Sequence, residues 1–370
     1  MKVNKFLKSL SDTRIFFWAT LWLIVLLFVG TIAQKDIGLY QAQERYFSSF
    51  IILLGGFLPM PGGAITMGVI FVGLLSKLIY KTPLTIKNSG IAITHLGSFL
   101  LLTGGLLTGL FSFEGNMVIP EGQSVNFFKD YHKLEVAIID TSPKDEDITY
   151  AFSQGYLKKG NSISIDEIPF KITILDYCRN CNILPITKEV DESFQGFAKR
   201  FELSEKELEI EDGDNRAGML IQIDGSDNDG KYLNVEYMPV AQTIKANNKI
   251  YKIELRHKRY RLPFEIELID FDKQMYAATS MAKSYKSVVR LKDGKLKQRT
   301  VIQMNEPLRY KGYTFYQSSF IEQDGSQTTI LATVKNIGRM FPYISSIIIC
   351  IGLLIHLLLN SKKLFTKRTE

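Results

Sequence analysis

The 370-residue chain carries 45 Lys and Arg against 38 Asp and Glu, a formal charge of +7, with 46% hydrophobic residues and a mean hydropathy of +0.03. Those averages fit neither an ordinary soluble globule nor a pure helical bundle, because very apolar segments alternate with one long polar one. The basic excess flanks the apolar segments, so it reports membrane topology and calls for no nucleic acid.

The first apolar span covers residues 15–32 and holds both tryptophans, Trp18 and Trp22. It is longer than a signal-peptide core and lacks a small-x-small cleavage site, so it reads as a retained helix. Residues 51–58 are apolar but too short to cross a bilayer, and Pro59-Met-Pro-Gly-Gly63 closes them with breakers. That stretch is expected at the outer interface or as a partial re-entry. Further spans follow at 64–79, 91–111 and 341–359. Lys2, Lys5, Lys8 and Arg14 precede the first span; Lys77, Lys81 and Lys87 separate the second from the third; Lys362, Lys363, Lys367 and Arg368 follow the fourth. By the positive-inside rule both termini are cytoplasmic and the polar segment is extracytoplasmic. The fold class is thus a membrane α-helical bundle of four transmembrane helices plus a large mainly-β, sandwich-like domain. It divides into residues 1–111, 112–340 and 341–370.

The third span contains His95 as its only ionisable side chain. Two readings stand: an interhelical hydrogen-bonding residue, or a marker of an ion, proton or cofactor site, since such groups are costly in lipid. Gly90, Gly97, Ser98, Gly104, Gly105 and Gly109 around it would let a second helix or a flat ligand approach the backbone.

In the polar segment the runs 135–139, 170–175, 219–223, 232–237, 251–255 and 264–268 read as strands, the last two alternating apolar and charged residues. Turns are expected at Asn126, Gly160-Asn161, 212–215, 224–230, Asp293-Gly294 and Asp324-Gly325, with one polar helix near 204–209. Residues 224–230 resemble a calcium loop in composition only and lack its closing Glu, so a solvated turn is the expectation.

Cys178-Arg-Asn-Cys181 admits a local disulfide, a thiol-disulfide exchange site or half a metal site. The disulfide is preferred: no second pair completes a zinc tetrahedron, no thioredoxin-like βαβ pattern surrounds it, and Asn182 replaces the His of a covalent haem motif. Cys350 is a small apolar residue of the fourth span. His257 lies in the basic run 256–261, expected as a solvated strand face or docking patch. His356 falls near the inner end of the fourth span, at a depth expected to match that of His95; it either faces His95 across a metal or haem, or snorkels, the preferred reading. No Gly-x-Ser-x-Gly, phosphate loop or His-Glu-x-x-His occurs.

Gly30-Thr-Ile-Ala-Gln34, Leu58-Pro-Met-Pro-Gly-Gly63, Gly90-Ile-Ala-Ile-Thr-His95, Glu114-Gly-Asn-Met-Val-Ile-Pro-Glu-Gly-Gln123 and the run 304–320 resemble the ResB-type (CcsB) component of the System II cytochrome c biogenesis apparatus. The resemblance implies a bacterial plasma-membrane protein that acts with a tryptophan-rich CcsA-type partner. Together they export haem b and hold it for thioether attachment to an apocytochrome c whose cysteines a thiol reductant keeps reduced. It makes the chain a subunit of a holocytochrome c synthase, not a complete enzyme. It maps the family's inner axial haem ligand onto His95, whose second ring nitrogen is expected to donate to a neighbour, with the second axial ligand supplied in trans. It assigns nothing to Cys178 and Cys181. A membrane thiol-disulfide oxidoreductase built on that pair, or a scaffold for a haem-bearing partner, are the alternatives.

Overall fold

Four helices are long and apolar enough to cross a membrane: α1 (Thr13–Ile37), α2 (Gly63–Tyr80), α3 (Ser89–Phe111) and α4 (Phe341–Thr366). The computed structural model describes residues 7–83, 85–144, 146–187, 191–276, 282–323 and 325–366. Lys2, Lys5, Lys367, Arg368 and the Asp324 turn position lie outside them. The described residues fall into two compact units. One runs to Phe113 and takes in Lys311–Tyr313 and everything from Val334 onward; the other comprises Glu114–Tyr310 and Thr314–Thr333.

In the helical unit large apolar side chains point outward, among them Trp18 at 63% and Phe28 at 67% exposure. Such a surface requires lipid or protein around it, and the chain is a membrane protein. Asp12 caps α1 by accepting from the Arg14 N–H at 2.9 Å, and Gly38, with φ 78°, ends the helix. The apolar stretch after it is a hairpin. β1 (Ile51–Leu54) pairs antiparallel with β2 (Leu58–Pro61), turning at Gly55 and Gly56, whose φ values of 65° and 85° explain the glycines. Its strands pair the backbone groups on their facing edges, and their outer edges are left to the surroundings. Trp22 Nε1 donates to the Pro61 carbonyl at 2.8 Å and ties the hairpin to α1.

Helix α3 packs against α4 along Gly90, Gly97 and Gly104, seven residues apart and all buried. A Cβ on Gly90 would lie 2.5 Å from the backbone nitrogen of His356, and one on Gly97 2.7 Å from Ile349. Neither helix could come so close with a larger residue there. Gly105 and Gly109 face open space. At the end of the seam Thr108 Oγ1 donates to Asn336 Oδ1 at 3.0 Å.

The second unit is mainly β. β3 (Phe113–Pro120), β4 (Ser124–Asp140), β13 (Lys249–Met275), β14 (Ala282–Asp293), β15 (Leu296–Gln303), β16 (Leu308–Tyr310), β17 (Tyr313–Gln323) and β18 (Ser326–Lys335) form a sheet in the order β15-β14-β13-β4-β3-β18-β17-β16. β5 (Ile148–Ser153) pairs with β4, and β12 (Gln242–Ala246) with β13. A smaller sheet runs β11-β10-β7-β6, from Gly230–Val235, Gly218–Asp224, Lys171–Cys178 and Ser162–Ile163. Val136 and Ile138 of β4 and Ile253 and Leu255 of β13 share one core with Ile172, Ile174, Met219 and Ile221 of the smaller sheet. This is the sandwich that the alternating runs imply.

Three local expectations change. The strands at 251–255 and 264–268 are one strand, β13, whose register on β4 shifts between His257 and Arg259 and between Arg261 and Ile266. The second shift brackets Pro263, which has no N–H to give the ladder. Asn126 is no turn but part of β4. Residues 204–209 form no helix: β9 (Phe201–Glu205) pairs with β8 (Cys181–Pro185), because six residues are too few to hold a helix against a competing ladder.

Because Gly90 meets backbone whereas Gly105 meets nothing, Gly90→Leu is expected to cost at least about 1–3 kcal/mol and Gly105→Leu almost nothing. Thermal unfolding of the two variants in detergent measures the difference, and equal midpoints would contradict the seam.

Candidate functional site

His95 lies on the side of α3 turned away from α4. At 100° per residue it is 140° from Gly90 and 160° from Gly97 around the helix, roughly opposite the seam. It is half-buried and borders a cavity of about 110 Å³ walled by Leu10–Thr13 and Phe16, by Gly73, Leu74 and Lys77 of α2, and by Ser98. Its Nδ1 is buried and has no hydrogen-bond partner among the described residues. The neighbouring acceptor expected for the second ring nitrogen is therefore not provided at Nδ1. Hydroxyls nearby are committed elsewhere: Ser98 Oγ donates to the Thr94 carbonyl at 3.0 Å, and Ser11 Oγ to that of Lys8 at 2.7 Å. Lys77, in the last turn of α2, is 3.5 Å from Thr13 Oγ1.

His356 is not at the level of His95. The α3–α4 register sets Gly90 against His356 and Gly97 against Ile349, which puts Ile351 level with His95. His356 is about 7.5 Å nearer the helix end, five residues on at 1.5 Å per residue. Its ring nitrogens are 3.3 and 3.2 Å from Asn360 Nδ2 on the next turn of its own helix. Among the described residues none of α4 lines the His95 cavity.

In the β unit Cys178 and Cys181 form a disulfide, and both residues are buried. The loop it closes orients two polar side chains. Arg179 Nη2 donates to both carboxylate oxygens of Asp212, at 3.1 and 3.0 Å. Asn180 accepts from the Arg216 N–H at 3.2 Å and donates to the Glu207 carbonyl at 2.6 Å. His132 Nδ1 completes the cluster at 2.6 Å from Asp212 Oδ2. Burial works against the charge on Asp212, but His132 and Arg179 outweigh it and hold the carboxyl below its ordinary value. In sequence Asp212 looks like any turn aspartate, and nothing marks it as the buried anchor of a disulfide loop. The neighbouring acidic turn is also structural: Asp229 accepts from the Gly225 and Ser226 N–H groups at 3.0 and 2.7 Å, using its oxygens on its own backbone. Among the described residues no group of three or more His, Cys, Asp or Glu could hold a metal ion.

Four membrane-length helices, a β-sandwich domain between the third and fourth, and an unpartnered imidazole in the third define a membrane protein with one large extramembrane domain. Residues 231–336 match the sequence model of the ResB-like family. Protein NrfI of Wolinella succinogenes is 25% identical over 301 residues, which is 79% of this chain and 30% of that relative's length. On these two matches the chain is similar to ResB-type proteins, and it spans less than a third of the length of the relative it matches.

Two expectations follow from the disulfide loop. Because the depressed Asp212 carboxyl lies below its unfolded value of 3.8, its pairing stabilises the fold above about pH 4 and is lost as pH falls through the folded value. Asp212→Asn should cost roughly 1.5–3 kcal/mol at neutral pH and narrow its gap from wild type in acid, read by thermal melts from pH 7 to 3. Replacing both cysteines with serine should cost about 2 kcal/mol, the closure entropy of so short a loop, read by the same melts.

Proposed function

We propose that the chain serves in cytochrome c biogenesis as the ResB-type component that moves haem b outward with a CcsA-type partner, His95 supplying one axial ligand. One observation carries this reading: His95 Nδ1 is buried in an apolar bundle without a partner. Such a group ordinarily costs about 1–3 kcal/mol, and the packing does nothing to relieve it. A neutral imidazole suits iron, and its position near the basic inner ends of α2 and α3 suits the capture of cargo arriving from the cytoplasm.

A cavity of about 110 Å³ is too small to enclose a porphyrin, for which pockets of several hundred Å³ are usual. In this reading the residues present would supply only half of a haem site. His95 offers a ligand, Lys77 a cation for an acidic porphyrin edge, and the remaining wall and the second ligand come from the partner. The ligand's direction is held by the seam behind it, which fixes the rotation of α3. The apocytochrome, its thiol reductant and the outward placement of the β-domain belong to the same reading, whose support is the ResB-type match together with the basic residues at the inner flanks.

In complex with the tryptophan-rich partner, His95→Ala should remove most of the haem absorbance at unchanged protein level, and His356→Ala should retain it. The reverse outcome would transfer the ligand role to His356; full retention in both would leave the chain a scaffold. Reporter fusions after Thr82 and after Gly230 should read cytoplasmic and external respectively. An external signal after Thr82 would overturn the orientation.

A further inference from the structure

The β unit contains a second cavity, of about 470 Å³, within the range of roughly 300–1,000 Å³ usual for small-molecule sites. β13 from Lys252 to Arg259 forms its floor, Asn234 to Glu236 one wall, Lys129 of β4 another, and the loop Tyr237–Ala241 its rim. Tyr237 begins that loop at φ 59°, a left-handed conformation that bulky side chains rarely adopt, and the Arg216 guanidinium lies 4.6 Å from its ring centre. Strain of this kind gathers where a loop is held around a ligand.

Pairing the charges leaves a surplus of cations. Arg256 is taken up by Glu135 and Glu254, both at 3.0 Å, and Glu236 Oε1 lies 2.8 Å from His257 Nε2. The Lys129 side chain makes no hydrogen bond or ion pair among the described residues, its backbone being held in the β4 ladder. Arg259 reaches Glu254 only at 4.0 Å, and its Nε is buried without a partner. Asn234, 2% exposed, leaves its Nδ2 donor equally unpartnered. Lys252 adds a third cation, exposed at the rim. Burial and the nearby Arg259 and Arg256 disfavour the charge on Lys129 more than Glu254 and Glu236 favour it, a cost that an incoming anion would reduce. Two buried donors and an unpaired amine around one cavity match an acceptor that is anionic and multidentate. A compact inorganic anion would leave most of the volume and the apolar side chains of Met238, Pro239 and Val240 unused.

We propose that this cavity binds a small organic dicarboxylate, one carboxylate held by Lys129, Arg259 and Asn234 and the hydrocarbon part lying along Pro239 and Val240. The site is independent of His95 and stands or falls apart from the haem reading.

Titration calorimetry on the full chain in detergent tests it, with adipate as the probe, hexane-1,6-diol as its uncharged counterpart and inorganic phosphate as the compact anion. Adipate should bind saturably at one site, and the diol should not bind. Lys129→Met and Arg259→Gln should each weaken adipate at least tenfold, while Lys171→Met, on β7 and outside the cavity, should not. Val240→Glu puts a carboxylate at a position already 66% exposed, so it should fold normally and still abolish adipate binding. No saturable adipate heat, equal binding of the diol, phosphate binding as tight as adipate, or wild-type affinity in both Lys129→Met and Arg259→Gln would each overturn the proposal.

Discussion

The helical unit depends on one close approach, that of α3 to α4 along three glycines spaced seven apart. In lipid no hydrophobic effect drives helices together, so backbone proximity and the dispersion contacts it permits must do so. These two helices bracket an inserted segment of more than two hundred residues, and the Thr108 to Asn336 hydrogen bond closes the seam where that segment leaves and returns. The same packing leaves α3 no freedom to rotate. At 100° per residue a slip of one position would swing His95 away from Gly73 and Lys77 by more than a quarter turn.

The helix presents two faces with separate work. Small residues on one are consumed by α4, and the imidazole on the other meets a cavity too small for any large ligand. The glycines read in the sequence as room for a flat ligand are thus divided, Gly90, Gly97 and Gly104 to packing and Gly105 and Gly109 to the open side. A ligand seated on His95 has to be approached from outside the bundle.

Much of this was legible in the sequence because the signals were long and periodic. The four spans, the change of period after Phe111 and the alternating strands each repeat a physical preference many times over. What escaped depends on pairings distant in the chain. Nothing local to Tyr251–Leu255 and Phe264–Leu268 says that one strand carries both, since the join runs through a basic run and Pro263 that resemble a loop. The run read as a solvated face is half-buried because Arg256 finds Glu135 on a strand 121 residues earlier. His132 drew no reading for the same reason, its partner Asp212 being 80 residues away. The equal depth expected for His95 and His356 failed on a smaller quantity, the α3–α4 register, which counting inward from basic flanks does not resolve to better than a turn or two.

The length of β13 also bears on how the domain is made. Residues Leu134–Ile138 must hide their apolar face beneath a core that Ile253 and Leu255 help to complete, more than a hundred positions downstream. During synthesis β4 therefore emerges long before its neighbour, with one ladder of N–H and C=O groups unpaired on that side. Such an edge invites pairing with the wrong chain, and contacts this far apart in sequence form slowly. β5, which pairs with the opposite side of β4 after a short connection, is available almost at once and can shield one flank. The other stays open until β13 arrives, and during that interval the nascent chain is most in need of a chaperone.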